Sequence, residues 1–274
     1  ISREKLILIL KNNLNNKKNI QYINQSCIRI NKNHNKKYNI YLANNEVHDA
    51  DIIIGTDGIS GITRKYVCGK NYIQRKKVYR AISNDFKHYF LSKEVVKINF
   101  LKYGHIVSYP YCEGSKQLLN NVFIPSNRYQ NDNNILNKIY NLNDNFNMEW
   151  KESFYSFDSD NSQNIYKNNI YLFGEAAFTF EPHLAQGGNN ILEDGFYLKN
   201  ILNRKSISYN AAFKSLLKDR FEKKRELKKI SSMLGLIYGL NNNLAILRNQ
   251  IILKLPDRIV YNFFREIWKN EFYY

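Results

Sequence analysis

The segment 169–189 constrains the fold of this chain more than any other part of the sequence. Residues 169–173 form a short apolar run, typical of a buried strand, and Gly174 and Glu175 follow it. Small residues come next, which allow close backbone approach, and then Gln-Gly-Gly-Asn opens a predicted helix over residues 189–202. A helix N-terminus offers free N–H groups and a partial positive charge. The segment therefore predicts an anion-binding strand–loop–helix unit, although a glycine-rich loop before an amphipathic helix needs no ligand.

A similar strand and loop occur earlier in the chain. Residues 50–55 form another apolar run that ends in glycine, and Asp57-Gly58 follows it, before a predicted helix that begins at residue 62. Open α/β sheets bind ligands at the carboxyl ends of their strands, where a carboxylate can accept hydrogen bonds from ribose hydroxyls. An ordinary Asp-Gly turn contains the same two residues, so this loop does not define a function by itself.

The remaining pattern predicts an α/β (α+β) fold. A helix is predicted over residues 2–14, and residues 20–30 and 38–42 are predicted to form a hairpin. Between the two loops, a mostly antiparallel sheet is predicted from residues 78–83, 95–100, 105–110 and 118–124, with one short helix over 135–140. Helices are predicted for the rest of the chain, over residues 209–234, 243–253 and 260–272.

The two loops, in this order, resemble the downstream fingerprints of the FAD-dependent aromatic-ring hydroxylases, a family that includes salicylate hydroxylase and kynurenine 3-monooxygenase. Asp57-Gly58 resembles the family's Asp-Gly motif, and Arg64 its closing arginine. Gly174-Glu175-Ala176-Ala177 resembles its Gly-Asp-Ala-Ala motif, and the segment that follows matches at Pro182, Gln186, Gly187, Asn189, Glu193 and Asp194. Weaker matches, which include Arg3 with Leu6 and residues 79–81 and 104–110, extend the resemblance from residue 1 to about residue 255.

The resemblance implies a fold and an activity. The fold is a Rossmann-like FAD/NAD(P)-binding domain over residues 1–77 and 165–232, an inserted substrate-domain sheet over 78–164, and C-terminal helices over 233–274. The activity is that of a monooxygenase in which NADH or NADPH reduces FAD. A flavin C4a-hydroperoxide then hydroxylates a small aromatic or conjugated substrate.

The resemblance also implies roles for individual residues. Asp57 would lie near the FAD pyrophosphate and ribose, Glu175 would replace the aspartate that binds the ribityl chain, and Arg3 would contact the cofactor. Pro182 and the backbone of residues 187–189 would face the flavin ring. The implied cofactor-binding residues are Arg3, Asp57, Gly58, Gly174, Glu175, Pro182, Gln186, Gly187, Gly188 and Asn189. The sequence identifies no catalytic residue; His183 is a candidate base, and packing is its alternative role.

The sequence departs from the family pattern in four respects. The Gly-x-Gly-x-x-Gly turn that holds the pyrophosphate does not occur, and because the chain starts at Ile1 we expect that segment upstream. Glu175 replaces aspartate, Phe178 replaces histidine, and Gly61 stands where serine is usual. The alternative hypothesis is therefore a non-catalytic relic of the fold that serves as a scaffold or interaction module.

The charge balance permits a third hypothesis. The formal net charge is +17, but the lysines are scattered. The run 218–229 also carries acidic residues, which predicts a solvated helix face rather than a nucleic-acid surface. The C-terminal helices place Leu and Ile beside Arg248, Lys254 and Arg258, so peripheral contact with a membrane is a further hypothesis.

Cysteine and histidine usage excludes some chemistry. The three cysteines, an odd number, and the five histidines show no metal-ligand spacing, which favours free thiols in a reducing compartment such as the cytoplasm. The aromatic residues Tyr79, Phe100 and Tyr109 are candidates for a substrate pocket or for the core of the sheet. The sequence does not indicate the oligomeric state.

Overall fold

The computed structural model describes residues 2–14, 17–35, 37–69, 73–83, 96–142, 148–158, 164–184, 187–203 and 208–268. Its fold is α+β, as predicted. The helices are α1 (Arg3–Leu14), α2 (Ile62–Cys68), α3 (Ile135–Tyr140), α4 (Gly187–Leu202), α5 (Tyr209–Tyr238), α6 (Asn242–Lys254) and α7 (Asp257–Trp268). The strands are β1 (Cys27–Lys32), β2 (Tyr38–Leu42), β3 (Val47–Ala50), β4 (Ile53–Gly55), β5 (Ile73–Ser83), β6 (Lys97–Leu101), β7 (Gly104–Glu113), β8 (Lys116–Pro125), β9 (Lys151–Asp158), β10 (Tyr166–Lys167) and β11 (Ile170–Leu172).

The chain divides into two compact units. Unit 1 comprises Ile1–Asn24, Lys76–Tyr155 and Leu236–Asn249; unit 2 comprises Gln25–Arg75, Ser156–Gly235 and Gln250–Tyr274. The predicted division into an FAD-binding domain, a substrate-domain sheet and C-terminal helices stays a prediction.

Unit 1 contains the predicted antiparallel sheet, with strand order β6-β7-β8-β5-β9. The pairs β6/β7, β7/β8 and β5/β8 are antiparallel. Tyr79 is 4% exposed and stacks on Phe123, so this candidate pocket residue belongs to the core, whereas Tyr109 is 37% exposed. Ile135 and Ile139 of α3 pack against the same core, which explains the position of the short helix. The sequence prediction missed β9.

Unit 2 contains two three-stranded sheets. The first, in the order β1-β2-β3, is antiparallel, so the predicted hairpin of β1 and β2 is confirmed. The predicted strand over residues 20–30 is wrong in its first part, because the ladder starts at Cys27, which pairs with Leu42 at the end of β2. The second sheet has the order β10-β11-β4, and β11 lies parallel to β4.

The core of unit 2 surrounds this parallel pair. Ile170, Tyr171 and Leu172 are fully buried, which agrees with the prediction of a strand covered on both faces. Helix α5 covers them with Phe213, Leu216 and Leu217, whose spacing of three and four residues forms one helical stripe.

The helices differ in how much of their apolar surface is covered. The predicted helix at the N-terminus is present as α1, but none of its residues is buried. Within the described residues, no single helix has both the length and the apolar character needed to cross a membrane. The pair α5 and α6, which is bent by 115° at its break, meets the length and composition requirements only when taken together.

Candidate cofactor-binding site

The parallel pair β4/β11 brings the two predicted loops to the same edge of one sheet. Gly55 is opposite Leu172 in the register, and the Phe173 N–H donates to the Gly55 carbonyl at 2.8 Å. Both strands end there: β4 leads to Asp57-Gly58, and β11 leads to Gly174-Glu175. The arrangement places two acidic residues and their glycines at the carboxyl ends of adjacent parallel strands, where α/β sheets bind ligands.

Asp57, in the first loop, is exposed and holds the start of helix α2. The Thr63 N–H donates to Asp57 Oδ2 at 2.8 Å, and the Thr63 hydroxyl donates to Asp57 Oδ1. The loop turns at Gly58, whose φ of 79° lies in the left-handed region that glycine tolerates. One carboxylate therefore satisfies a free N–H group of the helix and remains open to solvent on its other side.

Gly61 makes this arrangement possible. A Cβ at this position would overlap the Asp57 carboxylate, and a Cβ at Gly55 would overlap the Thr63 side chain. Glycine in place of the family's serine at position 61 therefore allows Asp57 to lie close to helix α2.

Arg64 connects the two loops. Its side chain is 2% exposed, and its Nη1 donates to the Ala176 carbonyl at 2.6 Å and to the Ala177 carbonyl at 3.3 Å. Its Nη2 forms an ion pair with Asp158 at the end of β9. The guanidinium fork thus holds the Gly-Glu-Ala-Ala turn against helix α2.

The second loop makes a tight turn at Gly174, where φ is 56°. The Gly174 N–H donates to Asp194 Oδ2 at 2.9 Å, which fixes the turn to helix α4. The Glu175 side chain is exposed, and its Oε1 lies 4.0 Å from the position that a Gly187 Cβ would occupy. The carboxylate therefore stands beside the N-terminus of α4.

Helix α4 begins at Gly187, within the Gln-Gly-Gly-Asn pattern and two residues before the predicted start at residue 189. Gly188 is exposed, and an added Cβ there would meet no atom of the described residues within 4 Å, so those residues leave the first turn open. The first N–H groups of a helix have no partner inside it and carry partial positive charge. This turn can therefore hold an anionic or carbonyl oxygen.

Glu193 and Asp194 of the matched segment point into the protein. Arg220 of α5 contacts Glu193 Oε2 at 2.7 Å through Nη2 and Asp194 Oδ1 at 3.0 Å through Nε. Lys224 forms an ion pair with Asp194, and burial lowers the pKa of its ammonium group, although the nearby Asp194 opposes this shift. Asp194 therefore positions Gly174 from inside the protein, while Glu193 pairs with Arg220.

The buried cations correct one prediction. The run 218–229 was predicted to be a solvated face, but Arg220 is 3% exposed and Lys224 is 2% exposed. Their partners, Glu193 and Asp194, lie about 30 residues earlier on α4. No local pattern in the sequence shows such a pairing, and the same applies to Asp158 with Arg64.

Phe178, which replaces the family's histidine, is a packing residue here. Its ring lies 5.1 Å from that of Phe221, centroid to centroid, and 5.5 Å from Lys224 Nζ. The ring covers one side of the buried lysine, so an aromatic residue is accommodated at this position.

His183, the candidate base, is held by neighbouring residues. It lies in a short 3₁₀ turn, Pro182–Leu184, and its side chain is only 4% exposed. Its Nε2 is 3.5 Å from Glu181 Oε2, and a Cβ at Gly235 would lie 2.7 Å from its Cδ2. Ser231 also donates to the Glu181 carbonyl at 2.7 Å. This environment favours the packing role for His183.

The structure places eight of the ten candidate residues in unit 2. They are Asp57, Gly58, Gly174, Glu175, Pro182, Gly187, Gly188 and Asn189. Gln186 lies outside the described residues. Arg3 is exposed in the first turn of α1, in unit 1, so its contact with a cofactor stays a prediction. Within the described ranges, no group of three or more metal-ligating side chains occurs.

Comparisons with solved structures identify flavoproteins of the same fold. HpxO of Klebsiella pneumoniae, solved with FAD and uric acid, matches with a TM-score of 0.72 and 13% identity, over 90% of this chain and 67% of HpxO. A substrate complex of salicylate hydroxylase matches with a TM-score of 0.71 and 15% identity, over 99% of this chain and 73% of the enzyme. The 2,6-dihydroxypyridine-3-hydroxylase of Arthrobacter nicotinovorans matches with a TM-score of 0.61 and 17% identity, over 77% of this chain and 64% of the enzyme.

No protein-family model matches the chain, and no curated protein matches it. The structural comparisons show that the chain has the fold of the FAD-dependent aromatic hydroxylases.

Proposed function

We propose that this chain acts in an FAD-dependent monooxygenase that hydroxylates a small aromatic or conjugated substrate, with NADH or NADPH as the electron donor. One observation carries the proposal: the parallel pair β4/β11 gathers Asp57, Glu175 and the open first turn of α4 at one edge. The structures of the same fold include complexes with FAD and with uric acid, a conjugated substrate.

The residues at this edge fit the flavin half of FAD. A ribityl chain carries hydroxyl groups, and the exposed Glu175 carboxylate can accept hydrogen bonds from them. The free N–H groups at Gly187 and Gly188 suit the negative edge of a reduced flavin. Asp57 keeps acceptor capacity on its exposed side after binding Thr63, because each carboxylate oxygen has two lone pairs.

The protein and the cofactor have separate tasks in this proposal. Bound flavin would supply electron transfer and oxygen activation, which belong to the cofactor. The chain's own residues would position the cofactor: Arg64 and Asp194 hold the turn at Gly174, and that turn presents Glu175.

The test is the visible absorption spectrum of the purified protein, expressed together with any coding sequence that precedes Ile1. We expect a flavin spectrum that bleaches on addition of NADH or NADPH without oxygen, after which a screen of aromatic acids and purines would identify the substrate. A folded, colourless protein that cannot be reconstituted with FAD would contradict the proposal.

The alternative, a scaffold that no longer binds FAD, is favoured by one observation. Asp57 is already engaged by Thr63, and Gly61 permits that contact. In the same experiment, the scaffold hypothesis predicts no flavin at any FAD concentration. Flavin that binds but does not bleach with either nicotinamide donor would leave FAD binding intact and contradict the proposed electron donor.

Peripheral membrane contact is a separate proposal for the C-terminal part of unit 2. Leu253 is 86% exposed, and Ile259 and Tyr261 are more than half exposed, near the exposed cations Lys254 and Arg258. Apolar side chains with adjacent cations suit the surface of an anionic bilayer. Arg248, included in the sequence prediction, does not belong to this surface: it is buried and donates to the Ile237 and Tyr238 carbonyls.

Sedimentation with vesicles tests this contact. We expect binding to vesicles that contain phosphatidylserine, a steep loss of binding with added salt, and weak binding to neutral vesicles. The double variant Leu253→Ser, Ile259→Ser should bind at least about tenfold more weakly, since each buried apolar side chain contributes about 1.5 kcal/mol or more. Ile82→Ser is the matched control, and equal loss in the control would contradict the proposal.

A further inference from the structure

A basic cleft lies along helix α5 in unit 2. Its volume is about 540 Å³, and residues 164–166 form one side while one face of α5 forms the other. The volume is in the range of small-molecule sites, about 300–1,000 Å³. The cleft includes none of the residues implied to bind the cofactor, so the inference does not rest on the proposed function.

Three cations line the helical side of the cleft: Lys214, Lys218 and Arg225. They are separated by four and seven residues, which correspond to about one and two helical turns, so they share one face of α5. Lys218 and Arg225 are about 10 Å apart along the helix axis, at 1.5 Å per residue. Among the described residues that line the cleft, Glu222 is the one acidic residue, so these residues carry a net positive charge.

None of these three cations forms an ion pair with a carboxylate in the described part of the chain. Each buried cation nearby, Arg220 or Lys224, contacts Glu193 or Asp194. Among the described residues, no ion pair involves Lys214, Lys218 or Arg225. Helix α5 thus directs one set of cations inward to partners and another set into a cleft.

Aromatic rings complete the cleft. Tyr166 is 40% exposed, and Lys214 Nζ lies 5.6 Å from the centroid of its ring. Phe221 lines the cleft between the cations, and its ring also contacts Phe178. Ring faces beside separated cations suit a ligand that has both a planar ring and an anionic group.

We infer that this cleft binds a phosphate-bearing small molecule with a planar ring, of the nucleotide class. The cations contact the phosphate oxygens, and the ring lies against Tyr166 and Phe221. Glu222 weakens this binding because its carboxylate repels the phosphates. Removal of the Glu222 charge should therefore strengthen binding, whereas removal of the cations should weaken it.

Isothermal titration with ATP, adenosine and inorganic phosphate tests the inference on the full-length protein. We expect saturable binding of ATP and much weaker binding of adenosine and of inorganic phosphate. The double variant Lys218→Gln, Arg225→Gln should bind ATP at least about tenfold more weakly, because it removes two of the cations that contact the phosphates. Glu222→Gln should bind ATP more tightly, which a folding defect would not produce.

Matched controls separate this site from two other sources of binding. The control Lys199→Gln, Lys229→Gln removes the same charge from exposed positions outside the cleft. Equal weakening in this control would show attraction by the net charge of +17 alone and would overturn the inference. Weakening by Glu175→Ala, without weakening by the cleft variant, would assign ATP binding to the cofactor loops and would also overturn it.

Discussion

At the scale of single residues, the structure shows which neighbours the residues that depart from the family pattern contact. Gly61 allows the Asp57 carboxylate to approach helix α2, and Phe178 packs on Phe221 and beside Lys224. Both positions have close neighbours among the described residues, so neither substitution by itself indicates loss of the fold. Among these departures, Glu175 is the one that would face the proposed cofactor, so it is the one that bears directly on FAD binding.

Replacement of Gly61 by alanine tests the first of these contacts. The added Cβ would displace Asp57 from Thr63, so we expect a loss of about 0.5–2 kcal/mol in the free energy of unfolding, the usual cost of a lost helix cap. Denaturant unfolding measures this change in the free energy of unfolding. Gly195→Ala, inside α4 with open space around it, is the control and should stabilise the protein by about 0.5–1 kcal/mol.

Glu175 should determine FAD affinity. Because its carboxylate is exposed beside the first turn of α4, Glu175→Ala should weaken FAD binding about tenfold or more, and Glu175→Asp should retain most of it. Fluorescence titration of the apoprotein with FAD measures both. Glu149→Ala, at another exposed site, should leave the affinity unchanged; a similar loss in that variant would refute the assignment.

At the scale of elements, the contact between α4 and α5 holds the second loop. Asp194 accepts from the Gly174 N–H and from Arg220, and it forms an ion pair with Lys224, so the acid links a loop to two helices. Removal of one partner from such a buried group is costly, by about 3–5 kcal/mol, because the remaining charge stays buried. The geometry of Gly174 and Glu175 therefore depends on α5.

Lys224 gives this contact a pH dependence with a definite sign. Burial lowers its pKa below the ordinary value of 10.5, so between the lowered pKa and 10.5 the unfolded chain binds more protons than the folded chain. Stability contributed by this group therefore rises with pH through that window. Relative to Lys224→Met, the wild type should gain stability as pH approaches 10.5.

Denaturant unfolding across this pH range provides the measurement. Lys229→Met, which replaces an exposed lysine of the same helix, is the matched control and should follow the wild-type pH dependence. A constant difference in unfolding free energy between the wild type and Lys224→Met at all pH values would contradict the assignment.

At the scale of the whole molecule, the sheet β10-β11-β4 leaves β4 at an edge of the described strands. Ile54 is 39% exposed in that strand. Unpaired edge strands with apolar side chains promote association between copies, and an added charge reduces it. The net charge of +17 opposes aggregation through repulsion between copies. It does not supply hydrogen-bond partners for the unpaired backbone groups of an edge strand.

The variant Ile54→Lys should therefore reduce self-association of the chain, measured by size-exclusion chromatography over a range of concentrations. Its unfolding free energy should change by about 0.5 kcal/mol or less, as for other surface substitutions. Ile82→Lys, on the exposed face of β5 in the five-stranded sheet of unit 1, is the control. If both variants reduce association equally, added charge rather than the β4 edge is responsible.

The sequence by itself determined many of the local elements, including both loops at the carboxyl ends of β4 and β11. Apolar runs ending in glycine predicted β4 and β11, and Gln-Gly-Gly-Asn predicted the start of α4, because strand burial and helix initiation depend on neighbouring residues. The tertiary structure decided which charges are buried. Arg64 pairs with Asp158, and Arg220 and Lys224 pair with Glu193 and Asp194, across separations of about 30 to 90 residues that no periodicity records. A charged side chain becomes buried only where a distant partner compensates its loss of hydration, so the structure alone reveals these pairs.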